Sequence, residues 1–297
     1  MAEATMLTRM IDSPPAPGGW RELATMAPTQ TLIFTDLDGT LLDDDYDLQG
    51  AAGAMDAMQE HGAVVIPVSS KTLPELRELA ALRNLQTPLI FENGAGIAWP
   101  LQLAPSHLDQ FSDGYAIELC GQGYEPMCEL LSDLRQRNGY RFQGFADFTD
   151  AQVAAQTGLT VAGAALARQR MASEPLCWRD DPGALQQFRR DLEAAALTLT
   201  RGGRFYHVMP TTNKGAAAAR VVAAYRQTLT GALRTVACGD SPNDLALLEF
   251  ADACALFPRP DCSYLSLPGK ALARAPRAGT RGWLTTVTAL LAELGDE

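Results

Sequence analysis

Basic residues, histidine and closely paired cysteines are all scarce in this chain. Its 297 residues hold 24 Lys plus Arg and three His against 35 Asp plus Glu, a formal net charge of -11 at pH 7. A field of that sign repels phosphate backbones and anionic lipid, so neither nucleic acid nor a membrane is an expected partner. It also disfavours a small phosphorylated substrate unless a metal ion or a locally basic pocket reverses the sign. Cysteine stands at 120, 128, 177, 238, 254 and 262 with no C-x-x-C pair, so the usual close zinc ligands are missing and six reduced thiols are expected. Apolar runs such as Leu32–Phe34 and Ala63–Val68 are far shorter than the roughly 20 residues of a membrane span. Residues 1–30 include Ser13-Pro14-Pro15-Ala16-Pro17-Gly18-Gly19 and lack a basic start followed by an apolar run. They read as a flexible extension rather than a signal peptide, with Met26 as an alternative start and the cytoplasm as the expected location. Asp43, Asp44, Asp45 and Asp47 lack the glycine and terminal glutamate spacing of a calcium loop and read as solvated.

What is present is core-forming material, 47% hydrophobic with 20% charged, enough for one large or two ordinary domains. Thr31–Thr35 and Ala63–Val68 are short runs of β-formers, and a helix-compatible stretch, 48–60, lies between them: a βαβ unit. A helix from about Thr72 to Leu82 leads to a third strand, Pro88–Phe91, and apolar strands of this kind suggest a parallel sheet. The same texture resumes at the other end with the helix Lys214–Arg226, the strand Arg234–Cys238, the helix Asp244–Phe250, the strand Ala253–Phe257 and a closing amphipathic helix, Trp283–Leu294. Between the halves, Asp181-Pro182 marks a helix start and Arg201-Gly202-Gly203-Arg204 a hairpin turn, so this stretch reads as an insertion.

The polar residues gather at the ends of these strands. Asp36-Leu37-Asp38-Gly39-Thr40 follows the first strand, and ligands bind an open α/β sheet at the carboxyl ends of its strands. Ser69-Ser70-Lys71 follows the second, where hydroxyls and N–H groups suit phosphoryl oxygens or serve as a plain helix cap. Lys214 opens a helix against the macrodipole, which a ligand would explain as well as solvent does. Gly239-Asp240-Ser241-Pro242-Asn243-Asp244 supplies two more carboxylates at a third strand end. Singly each is a turn or a cap, but four on one sheet edge point to a site.

This ordered set resembles the haloacid dehalogenase-like phosphatase superfamily. Phe34–Asp43, Ser69-Ser70-Lys71-Thr72, Glu92-Asn93-Gly94-Ala95, Arg168–Pro175, Gly203–Val208 and Gly239–Asp244 are similar, more narrowly, to the mannosyl-3-phosphoglycerate phosphatase family. The resemblance runs from about residue 31 to the last helix. It implies an α/β fold with a Rossmann-like parallel-sheet core, 31–96 and 208–297, and an inserted α/β cap, 97–207, that selects the substrate. It implies that Asp36 attacks phosphorus, that Asp38 acts as acid and then base with a raised pKa, and that Ser69 and Lys214 hold the transferring oxygens. Mg2+ would be held by the Asp36 carboxylate, the Asp38 carbonyl and Asp240, with Asp244 binding it or orienting a water. Ser70, Lys71, Asn93, Gly94, Arg168, Arg170, Ser173, Glu174, Arg204, His207 and Asn243 are the candidate contacts for a small phosphorylated sugar-glycerate. For the cap residues an ion pair or core role is the alternative, and for His207 the two weigh equally. A glucosyl or other sugar phosphate, phosphoryl transfer to a second sugar, and non-catalytic binding stay open, and nothing in the sequence sets the oligomeric state.

Overall fold

A computed structural model describes residues 29–42, 46–82, 85–202, 204–267 and 271–295. Residues 1–28 of the expected extension and the run Asp43–Asp45 lie outside them. Strand β1 (Thr29–Thr35) leads through α1 (Leu48–Glu60) to β2 (Ala63–Pro67), then α2 (Leu73–Leu82) and β3 (Leu89–Phe91). Next come β4 (Gly96–Pro100), β5 (Phe111–Ser112), β6 (Tyr115–Leu119), α3 (Tyr124–Asn138) and β7 (Phe142–Gly144). They are followed by α4 (Asp150–Thr157), α5 (Val161–Ala167), β8 (Glu174–Trp178), α6 (Pro182–Glu193), β9 (Leu197–Arg201) and β10 (Tyr206–Pro210). The chain ends with α7 (Lys214–Thr228), β11 (Ala232–Gly239), α8 (Leu245–Phe250), β12 (Ala253–Leu256), β13 (Ala271–Arg274) and α9 (Thr280–Gly295).

The core sheet is parallel, in the order β13-β12-β11-β1-β2. The middles of its strands are apolar because both faces are covered there, and their two-residue period sorts side chains between the layers. Ile33, Val65, Val236 and Ala255 pack with α1, α2 and α9, where Met55, Leu79 and Trp283 are buried. Leu32, Phe34, Ile66 and Leu256 face α7 and α8, where Val221, Tyr225 and Leu248 are buried. From β1 the chain winds outward to β2, and from β11 it winds the opposite way to β12 and β13. The crevice between the carboxyl ends of β1 and β11 is therefore the topological switch point, the usual ligand position in such a sheet.

Two antiparallel sheets complete the fold, with orders β3-β4-β6-β5 and β7-β8-β10-β9. The third strand departs from expectation. It meets the core sheet only at a parallel bridge, Val68 to Ile90, and otherwise pairs antiparallel with β4. Glu92, Asn93 and Gly94 follow it at φ 50°, 60° and 89°, three successive left-handed residues that turn the chain back on itself. β4 and β6 then bury Ala98 and Ile117 on one side and Ile97 and Trp99 on the other, extending both core layers into the expected 97–207 insertion. At the other end β10 spans the expected boundary at 207/208 and pairs with β8 and β9. The second antiparallel sheet thus runs from 142 to 210, with its own core of Leu131, Phe142, Leu176, Phe188 and Val208.

Candidate active site

The acidic residues reach the switch point because the core anchors them from both sides. Asp36 donates its N–H to the Cys238 carbonyl at 3.0 Å, tying the end of β1 to the end of β11. The loop after it is pinned by buried Leu37, Leu41 and Leu42. It turns at Gly39, whose φ is +80° and where a Cβ would stand 3.1 Å from the Asp240 carboxylate. A side chain there would be strained by that backbone and crowded by that approach, which glycine avoids. Asn213 caps α7, accepting from the Ala216 N–H at 2.9 Å, and this fixes the helix start that carries Lys214. Lys214 is essentially buried and donates to Asp36 Oδ1 and Asp244 Oδ1, each at 2.6 Å.

Asp36, Asp240 and Asp244 are all buried, and each offers one oxygen within 4.8 Å of the others. Three carboxylates facing one ammonium leave a formal charge of two negatives. Burial, then repulsion from Asp244, holds the Asp36 carboxyl well above the ordinary range although Lys214 opposes the shift. Burial and Asp244 push Asp240 up to about 6. For Lys214, burial works against the charge, but attraction from Asp244 and Asp36 outweighs it and keeps the ammonium above its ordinary value. Buried oxygen donors carrying two uncompensated negative charges fit a hard divalent cation. Asp244 is the most occupied of the three: its Oδ2 accepts from the Asp240 and Ser241 N–H groups at 3.1 and 3.0 Å while Oδ1 holds Lys214. The Asp240 side chain accepts from Thr40 at 3.4 Å.

The Asp38 side chain stands apart from this cluster. It is 42% exposed and lies 3.0 Å from Lys71 Nζ. The phenol of Tyr46 hydrogen-bonds both groups. Ser69 is fully buried, and its Oγ accepts from the Lys71 N–H at 3.2 Å. Asn93 donates its N–H to the Ser69 carbonyl at 2.8 Å and accepts from Asn243 Nδ2 at 3.0 Å, so the turns after β2, β3 and β11 brace one another. Gly94 sits so close to the Asn213 carbonyl that a Cβ would be 2.5 Å from it. Ser70 accepts at its carbonyl from Arg170 at 3.0 Å.

Most of the remaining cap residues are occupied by protein partners. Arg168 pairs with Asp150 at 2.5 Å within the cap. Arg170 donates to the Ser173 carbonyl at 2.9 Å as well as to Ser70, and Ser173 donates to Glu92 Oε2 at 2.8 Å. Glu174 accepts from the Ala146 N–H at 2.8 Å and from the Tyr124 hydroxyl at 2.7 Å, and burial pushes it up to about 7. Arg204 is exposed beyond the end of β9. His207 is the exception. Its buried Nδ1 has no hydrogen-bond partner among the described residues. Burial, then Arg170 and Lys214, pushes the ring down to about 3, so a neutral imidazole faces both cations. Two residues escaped the sequence reading. Glu92 is fully buried and also accepts from the Met171 and Ala172 N–H groups at 2.8 and 3.0 Å, fastening the cap to the core. Its signals were an acid directly after an apolar strand and its place in the Glu92-Asn93-Gly94-Ala95 motif, to which no role was attached, and Tyr46 carried none.

Residues 33–108 match the family model described as haloacid dehalogenase-like hydrolase. A Methanococcoides burtonii protein named glucosyl-3-phosphoglycerate/mannosyl-3-phosphoglycerate phosphatase is 33% identical over 264 residues, covering 88% of this chain and 97% of that protein. The chain belongs to the haloacid dehalogenase-like hydrolases. This hydrolase, a phosphatase, shares its fold with a Thermoplasma acidophilum protein at a TM-score of 0.60 and 16% identity, covering 89% of this chain and 99% of the other. It is likewise similar to the sucrose-phosphatase of Synechocystis, at a TM-score of 0.53 and 16% identity, covering 88% of this chain and 98% of that one. Among the described residues no helix is long and apolar enough to cross a membrane.

Proposed function

We propose that this phosphatase hydrolyses mannosyl-3-phosphoglycerate to mannosylglycerate and inorganic phosphate in the cytoplasm, with Mg2+ as its metal. The observation that carries the substrate is the Methanococcoides relative, whose likeness spans 97% of that protein and so includes the cap. Glucosyl-3-phosphoglycerate is the second reading, because that relative's name joins both sugars.

In this reading the Asp36 carboxylate attacks phosphorus, and the electron pair of the breaking P–O bond passes to the glycerate oxygen, which takes a proton from Asp38. The resulting aspartyl-phosphate is cleaved by a water that gives its proton to Asp38, releasing phosphate and restoring Asp36. Ser69 and Lys214 hold the transferring oxygens, and the contact of Lys214 with Asp36 supports its place beside the nucleophile. Asp36, Asp240, Asp244 and the Asp38 carbonyl would hold Mg2+, which would supply neutralisation of the phosphoryl charge. We assign substrate choice to the cap, where His207, whose buried Nδ1 has no hydrogen-bond partner among the described residues, is the contact its geometry best supports.

Phosphate release is to be measured with Mg2+ or EDTA on mannosyl- and glucosyl-3-phosphoglycerate, 3-phosphoglycerate, mannose 6-phosphate and sucrose 6-phosphate. Metal-dependent preference for a glycosyl-phosphoglycerate supports the reading, and the better of the two names the sugar. Activity spread evenly over simple sugar phosphates removes the substrate, and no release from any of them removes the reaction.

A further inference from the structure

We propose that Tyr46 is a positioning residue for the acid–base carboxylate Asp38, which it holds jointly with Lys71. The inference rests on the phosphatase reading above and adds a residue to it. A carboxylate 42% exposed has many conformations, and proton transfer to a leaving oxygen needs few of them. The stretch ahead of α1 supplies the restraint. Tyr46 stands at φ +54°, a left-handed backbone that is strained for a bulky residue. Its contacts therefore have to retain it there. The phenolic oxygen meets both Lys71 Nζ and Asp38 Oδ1. An ammonium can only donate, so Tyr46 accepts from Lys71, and its single hydroxyl proton is directed at Asp38. The Lys71 ammonium also lies 4.6 Å from the centroid of the Tyr46 ring and 3.0 Å from Asp38 Oδ1, which closes a three-membered network. The backbone N–H of Lys71 meanwhile binds the Ser69 hydroxyl at 3.2 Å. One residue thus links the holder of the acid–base group to the serine placed beside the phosphoryl oxygens.

A group that positions Asp38 matters in proportion to how much the leaving oxygen needs a proton. Sugar-glycerate and other alkyl esters leave as strongly basic alkoxides and need it, whereas p-nitrophenolate leaves well without it. Tyr46→Phe and the wild-type chain should be compared on glycerol 3-phosphate or mannosyl-3-phosphoglycerate and on p-nitrophenyl phosphate, all with saturating Mg2+. The quantity to compare is kcat/KM, which reports the first phosphoryl transfer and is blind to the later hydrolysis shared by all substrates. The expected result is a fall of roughly 10- to 100-fold for the alkyl ester and under about threefold for the aryl ester. Equal losses on both, or none, overturn the assignment. A second comparison takes kcat/KM per folded molecule, so that a loss of stability does not enter: in an Asp38→Asn background, adding Tyr46→Phe should leave alkyl-ester kcat/KM unchanged within about twofold, because the phenol acts only through Asp38. A further tenfold loss there overturns the proposal. If the wild-type chain turns over neither ester, the phosphatase reading itself fails, a result distinct from wild-type turnover with equal losses.

Discussion

Asp240→Asn should make the metal-free protein more stable while removing its activity. The Asp240 carboxyl is driven from the ordinary 3.8 to about 6 by burial and by Asp244, so its charged form is disfavoured in the folded chain. An acid with a folded value above its unfolded one costs nothing below about pH 4, costs progressively more as pH rises from about 4 to about 6, and carries its full penalty above that. The full penalty at pH 7 is about 3 kcal/mol, falling to about 1.5 kcal/mol at pH 5. Asparagine keeps an oxygen for the long bond from Thr40 and leaves the Lys214 contacts with Asp36 and Asp244 untouched, so little is lost against this gain. Thermal unfolding in EDTA should place the Asn variant about 3–10 °C above the parent at pH 7, with the gap narrowing at pH 5. Adding Mg2+ should raise the melting temperature of the parent and not that of the variant. An Asn variant less stable at pH 7, or a gap that widens on acidification, would refute the claim that carboxylate repulsion strains this cluster.

Lys214→Met should abolish turnover and destabilise the fold by about 3–5 kcal/mol in urea unfolding, because it strands two buried carboxylates that now share one ammonium. Mg2+ should recover more stability in this variant than in the parent. Glu92→Ala leaves the Met171 and Ala172 N–H groups and the Ser173 hydroxyl without their acceptor, at about 2–4 kcal/mol in the same assay. Hydrogen exchange should then rise first at 170–173, where the cap meets the core. Asp36→Asn should show no release of phosphate while still binding a phosphate mimic in calorimetry, and persistent turnover would end the nucleophile assignment.

The central sheet was legible because its strands are buried on both faces: Leu32-Ile33-Phe34 and the run after Ala63 leave no room for another role. The clustering of the acidic residues was legible because strand ends in such a sheet have one destination, and Asp36 and Asp240 meet there. β3 was not. Three buried apolar residues look alike in parallel and antiparallel surroundings, and the deciding feature is a backbone reversal at 92–94 that only the Asn-Gly pair hinted at. The cap arginines were ambiguous for a different reason. Residue type shows that Arg168 and Arg170 bind anions or carbonyls, not whose, and here Asp150, Ser173 and Ser70 occupy them. Tyr46 was invisible because nothing in its neighbourhood in sequence foretells a hydroxyl shared by Lys71, 25 positions on, and Asp38.

The most direct measurement is a rapid acid quench of the Mg2+-loaded enzyme during turnover of mannosyl-3-phosphoglycerate, followed by mass spectrometry of its peptides. A transient phosphoryl adduct on the peptide carrying Asp36, absent from Asp36→Asn, is the expected result. Phosphate release with the adduct on another residue, or equal release from the Asp36→Asn variant, would contradict the mechanism.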